Sequence, residues 1–156
     1  MRALAHVVLL SPEIPWNTGN IGRSCLAFGA KLHLVRPLGF SLAASALRRA
    51  GLDYWQHVQP QVWENWERFL HQMEGWERCF FFSAEGARDL FTVRLPQEPF
   101  LIFGRESVGL PQELRSLHTG RLVRIPQLPG PVRSLNLSSA VAVALAEVYR
   151  QHFYGR

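Results

Sequence analysis

Val7-Val8-Leu9-Leu10-Ser11-Pro12-Glu13-Ile14-Pro15-Trp16-Asn17-Thr18-Gly19-Asn20-Ile21-Gly22-Arg23 is the stretch on which the fold class turns. The run Ala5–Leu10 that feeds it is short and rich in Val and Leu, as in a strand buried on both faces of a sheet. A loop dense in Pro and Asn follows, then a predicted helix over Thr18–Phe28 stopped by Gly29, then a second apolar run at Leu32–Val35. The same alternation continues outward. Cys79–Ser83, Phe100–Phe103 and Leu122–Ile125 read as further strands, and Ala43–Arg49, Val62–Met73, Pro111–His118 and Ser138–Gln151 as helices. Strand alternating with helix predicts an α/β, Rossmann-like, mostly parallel sheet flanked by helices, whose ligands bind at the carboxyl ends of the strands. The loops expected at that edge, Ser11–Asn20, Arg36–Phe40, Gly104–Pro111 and Pro126–Ser138, collect much of the Pro and Gly.

With 156 residues, 17.8 kDa and 47% hydrophobic composition, the chain is expected to form one domain over 1–156 and not a disordered or fibrous segment. No apolar run approaches the ~20 residues of a membrane span. The first residues lack a signal-peptide pattern, so a soluble, cytoplasmic protein with no membrane partner is expected. Cys25 and Cys79 stand far apart and outside any Cys/His cluster, which removes zinc-ribbon and disulfide scaffolds and predicts no metal site. The net charge of +5 favours a polyanionic partner, and sixteen of the seventeen basic residues are Arg. Arg forks onto phosphate and stacks on bases, which fits RNA; a biased base composition or a hot habitat of the host explains the same count. The charge is spread evenly, with no basic tail.

No phosphate-binding G-x-x-x-x-G-K-[ST] is present, and Gly19-Asn20-Ile21-Gly22 is a weak nucleotide signal. Three constellations carry more. In Asn17–Arg23, Asn17 or Thr18 can cap a helix on which Ile21, Cys25 and Phe28 share one face and Arg23 points away. An exposed Arg is most often a solvated charge, but one near the strand edges is placed to meet phosphate or a developing oxyanion. In Gly104–Pro111 a buried strand ends in Gly and an acid: Gly104 would let a ligand approach the backbone, and Glu106 would accept from it or hold an Arg. A plain turn explains the same letters. In Arg124–Ser139, Ser134, Asn136, Ser138 and Ser139 offer more polar groups than one N-cap needs, so redundant capping competes with a ligand at the helix N-terminus. The helix beyond has no polar side chain from Ala140 to Ala146 and is expected to be buried all round, in the core or in a subunit interface.

Taken together, Pro12-Glu13-Ile14-Pro15, Asn17–Arg23, Leu47-Arg48-Arg49-Ala50-Gly51-Leu52-Asp53-Tyr54, Gly104–Pro111 and Arg124–Ser139 resemble the motifs of the SPOUT class of S-adenosylmethionine-dependent RNA methyltransferases. The likeness runs from Val7 to Tyr154 and is greatest to the small branch that 2′-O-methylates the wobble nucleotide of tRNA, C34 or U34. The resemblance implies a homodimer and a deep trefoil knot in the C-terminal third, a topology that connection rules count as rare. It implies contacts to S-adenosylmethionine from Phe82, Gly104, Ile125, Ser134 and Leu135, with Asn136 among them. It implies a catalytic Arg23, oriented by Asn17 and Glu106, and no metal. The chain departs from the family pattern at Arg105, where Pro is usual, at Leu135 for Met and at Phe82 for Leu; Gln56–Gly75, rich in Trp, matches poorly.

Methyl transfer to a ribose hydroxyl is mostly a problem of positioning. Because free Arg stays protonated, Arg23 is expected to grip the adjacent phosphate and stabilise the developing 2′-oxyanion while the proton leaves through phosphate or water. Arg48, Arg49, Arg115, Arg121, Arg133 and Arg150 are candidates for RNA backbone contacts, and Trp16 for base stacking. Other tRNA positions or ribosomal RNA are competing targets. A non-catalytic RNA-binding protein that kept the fold, or an α/β enzyme on a small molecule, are the readings from other classes.

Overall fold

The protein is described by a computed structural model that covers residues 2–43 and 53–155. Seven strands, β1 (His6–Leu10), β2 (Lys31–Val35), β3 (Gln61–Trp63), β4 (Cys79–Phe82), β5 (Arg88–Asp89), β6 (Phe100–Phe103) and β7 (Leu122–Arg124), form one sheet in the order β3-β2-β1-β6-β4-β7-β5. Every pairing is parallel. The helices are α1 (Pro15–Phe28), α2 (Trp55–Val58), α3 (Trp66–Gln72), α4 (Gln112–Leu117) and α5 (Leu137–Tyr154).

Period-two alternation divides the core. Val7, Leu9, Phe80, Phe82, Leu101 and Phe103 face α1 and α5, where Ile21, Cys25, Val141, Leu145 and Val148 meet them. Val8, Leu10, Phe81 and Ile102 face the other way, onto Phe69 of α3 and Leu114 of α4. The strands are buried on both faces because helices cover both, which is why they read as continuous apolar runs. Gln151, buried near the end of α5, accepts from the Leu95 amide at 2.9 Å and donates to the Val93 carbonyl at 2.8 Å, clipping the helix to the segment before β6.

Several boundaries differ from the sequence expectation. The helix expected over Val62–Met73 starts only at Trp66, because Val62 and Trp63 pair with Leu34 and Val35 as a strand and Asn65 then caps α3 by accepting from Arg68 N. The two-residue β5 and the four-residue α2 carry too little periodicity to be seen. Pro111 caps α4 instead of lying in its first turn. Ala43–Arg49 lies almost wholly outside the described residues, as do Arg48 and Arg49. Within one chain the core covers only part of α5: Val141, Ala144, Leu145 and Val148 are buried, whereas Ala146 is exposed and Tyr149, Phe153 and Tyr154 are 38%, 65% and 79% exposed. Gly29 does end α1, in the left-handed conformation (φ 71°) that favours glycine.

Candidate active site

The carboxyl ends of β1, β6 and β7 meet at one edge of the sheet, and carboxylates from each side join the first two loops. Glu106, just after β6, accepts from the amides of Glu13 at 2.9 Å and Ile14 at 2.8 Å and from Asn17 Nδ2 at 3.4 Å. Asn17 and Thr18 do not cap α1. The helix begins at Pro15 with Ile14 at its N-cap and no side-chain cap of its own, so Glu106 supplies the missing anionic acceptor from 92 residues away. Glu13 returns the contact, its Oε1 accepting from Ser107 N at 2.9 Å, and this backbone hydrogen bond holds its carboxyl below the usual range.

Asn136 brings in the third loop. Its Oδ1 accepts from the amides of Ser138 and Ser139 as the N-cap of α5, and its Nδ2 donates to Asn17 Oδ1 at 3.2 Å. Asn17 therefore has both ends of its amide fixed, between Glu106 and Asn136. The Ser138 hydroxyl sits 2.6 Å from Asn136 Oδ1, so part of the Ser/Asn crowding is capping.

Gly104 is dictated by the loop itself. A Cβ there would lie 2.0 Å from Gly109 C and 2.1 Å from Leu110 N, because the loop turns back through an Arg105–Gly109 bridge and crosses its own start. The close backbone approach expected at Gly104 is thus made by the chain. Gly22 serves packing in the same way: a Cβ would meet Trp55 and Val58 at 3.0 Å, and Tyr54 Oη donates to Gly19 O at 2.7 Å, so the Gly-x-x-Gly of α1 seats α2.

Between the loops lies a pocket of about 630 Å³. Phe82, Phe103, Ile125 and Leu135 give it apolar walls, with the Phe82 and Phe103 rings stacked at 4.5 Å. Asn17, Gly104, Glu106, Ser134 and Asn136 also line it. Eight of the residues singled out from the sequence thus converge on one cavity; Arg23 does not line it. Arg23 is exposed on α1, its guanidinium 5.8 Å from the Tyr54 ring centre.

Sequence reasoning missed the pair Glu85–Arg115 in the pocket wall, bonded at 3.2 Å, with Arg115 Nε buried and unpartnered among the described residues. Arg115, expected to contact RNA backbone, is held in the pocket wall by Glu85. Arg150 is likewise held by Glu147, at 2.7 Å and 3.0 Å, and Arg133 lies in the pocket lining. Trp16 is 61% exposed beside the site. Among the described residues no group of His, Cys, Asp and Glu could hold a metal ion, and no helix is long and apolar enough to cross a membrane.

The chain has known relatives in sequence and in fold. The chain is 46% identical over 147 residues, 94% of either chain, to the tRNA (cytidine(34)-2′-O)-methyltransferase of Methylovorus glucosotrophus. It superposes with a TM-score of 0.87 and 47% identity, over 97% of both chains, on a structure that concerns the 2-OH methylation of C/U34 on tRNA. An AdoMet-bound rRNA methyltransferase from Sinorhizobium meliloti matches 98% of this chain and 58% of its own, with 28% identity and a TM-score of 0.76. The family model described as SpoU rRNA Methylase spans residues 5–146, from β1 through the locked loops and into α5. With the sheet, the pocket and the motif residues all inside that span, the chain belongs to the SpoU rRNA methylase family.

Proposed function

We propose that this protein transfers a methyl group from S-adenosylmethionine to the ribose 2′-oxygen of nucleotide 34, C or U, of tRNA, working as a single domain of 1–156 in a cytoplasmic homodimer. The observation that carries this is the lock Glu106–Asn17–Asn136, which holds three loops around the pocket. The names of the relatives supply the nucleotide.

The pocket fits the donor. Its volume falls within the ~300–1,000 Å³ of small-ligand sites, and its mixture of apolar walls and few polar groups suits an adenosyl and an amino-acid moiety. Phe82, Ile125 and Leu135 would hold the apolar parts, and Gly104, Ser134 and Asn136 the polar ones. When bound, S-adenosylmethionine supplies an electrophilic methyl carried on a sulfonium. The protein's part is positioning. Glu106 accepts from three donors on the neighbouring loop and helix, so its part is to order the loops. Arg23, always charged, grips the phosphate beside the target and stabilises the oxygen as its proton leaves to phosphate or water.

Arg23 stands outside the pocket of its own chain, which supports a site shared between two copies. Leu26 on α1 and Tyr149, Phe153 and Tyr154 on α5 expose an apolar surface, and a second copy covering it would bring one Arg23 toward the other chain's pocket. A knotted passage of the chain through 100–136 belongs to the same reading, with the β6, β4, β7 order as its support.

The test is transfer of labelled methyl from S-adenosylmethionine to tRNA from a strain lacking this gene, with nuclease mapping of the product. A 2′-O-methyl nucleotide at position 34 is the expected result. Donor binding without incorporation would move the substrate to another RNA, and absence of donor binding would overturn the proposal.

A further inference from the structure

β4 and β7 each run between two clefts. At their carboxyl ends Phe82 and Ile125 border the pocket described above; at their amino ends a second cleft of about 610 Å³ is lined by Glu77, Phe80, Arg88, Arg94, Gly120 and Arg121. Arg121 and Ile125 flank β7, so the clefts lie roughly 13 Å apart along one extended strand.

The second cleft gathers three arginines that no carboxylate neutralises among the described residues. Arg115 and Arg150 have carboxylate partners. Arg88 and Arg121 instead donate to the carbonyls of Gly120, at 3.4 Å, and Cys79, at 3.3 Å, contacts that orient a guanidinium without neutralising it. Arg94 is exposed and makes no hydrogen bond or ion pair among the described residues. Glu77 is the one acid in the lining, and no ion pair joins it to the three arginines among the described residues. Three like charges are thus gathered against the apolar surface of Phe80 and Pro96, where low-dielectric walls strengthen the field and invite an anion. Each guanidinium has five donors in a planar fork, most of them unused here, which suits phosphate oxygens.

We infer that this cleft binds the phosphate backbone of the tRNA at a point away from the target nucleotide, with Arg94 as the free contact and Arg88 and Arg121 as pre-oriented ones. The inference rests on the tRNA reading above. A backbone contact carries no sequence information; it sets register and adds a salt-dependent share of affinity. It gives the domain a second grip on its substrate from the opposite edge of the sheet.

The experiment compares Arg94→Ala and Arg94→Glu with Arg68→Ala, which removes the same charge from α3 outside the cleft, in tRNA binding across a salt series and in steady-state methyl transfer. Arg94→Ala is expected to raise KM for tRNA about 3- to 10-fold and to flatten the salt slope by about one contact, with kcat at saturating tRNA retained. Arg94→Glu should raise KM further, and Arg68→Ala should match the wild type. An Arg94→Ala protein with the KM and salt slope of Arg68→Ala overturns the inference while leaving the enzyme's activity in place. A wild type that neither binds nor methylates tRNA overturns the inference together with the reading beneath it.

Discussion

Two polar networks are built into opposite ends of the same sheet, and they do different work. At the carboxyl ends, Glu106, Asn17 and Asn136 join loops from three strands around a cavity. Toward the amino ends of β1 and β6, Trp63 Nε1, from the last residue of β3, donates to His33 Nδ1 at 3.1 Å, His33 Nε2 meets His6 Nδ1 at 2.9 Å, and His6 Nε2 meets Glu98 at 3.4 Å. Indole is only a donor, so this chain fixes both imidazoles as neutral with the proton on Nε2. Phe100 stacks on His6 at 4.4 Å, and Phe69 packs edge-on to His33, so aromatic rings cover the relay. A satisfied buried network is therefore no sign of a site by itself. The first borders a ligand-sized space and holds loops, whereas the second is sealed by rings and ties β1 and β2 to β3.

Breaking the loop end should cost function first. Gly104→Ala carries the largest expected effect, about 3 kcal/mol or more of stability along with loss of the pocket, because its Cβ meets backbone at 2.0 Å; thermal unfolding and donor titration check it. Glu106→Ala should lower methyl transfer by more than about 100-fold, since three donors lose their acceptor and the loops lose register, with a smaller change in melting.

Breaking the other end should cost stability alone. His33→Ala strands Trp63 Nε1 and His6 Nδ1 and should lower unfolding free energy by about 2 kcal/mol in denaturant titrations while transfer at low temperature persists. Burial pushes the His33 imidazole down to about 3 from its ordinary 6.5, and His6 is lowered for the same reason. The unfolded chain therefore takes up a proton that the folded chain refuses. Stability is complete above pH about 6.5 and falls by up to about 1.4 kcal/mol per pH unit as pH drops from there toward 3, a slope that His33→Ala should reduce. The smallest effect is expected for the capping half of Asn136: Asn136→Ala should cost about 1 kcal/mol through the exposed α5 N-cap, and its loss of transfer reports the separate bond to Asn17.

The two ends were unequally legible in the sequence. Buried parallel strands declare themselves as apolar runs, so the central strands and the α/β class were visible, while β3 and β5, short and at the sheet edges, were not. The start of α1 was misplaced because its acceptor is a side chain 92 residues distant, and no local pattern encodes that. Pocket residues were found through the wording of their loops; Arg23 was found too, but its separation from the pocket belongs to three dimensions. Glu85 and Arg115 carried no motif. The histidine relay was invisible because His6 and His33 sit singly in apolar strands, where each reads as an isolated core residue.

The contrast is tested most directly by calorimetric titration of S-adenosylmethionine into Glu106→Ala and His33→Ala, at a temperature where both are folded. The account predicts donor affinity weakened at least about 10-fold in Glu106→Ala and unchanged in His33→Ala. Equal affinities in the two variants would contradict it, because the loop lock would then be no more part of the donor site than the relay at the other end of the sheet.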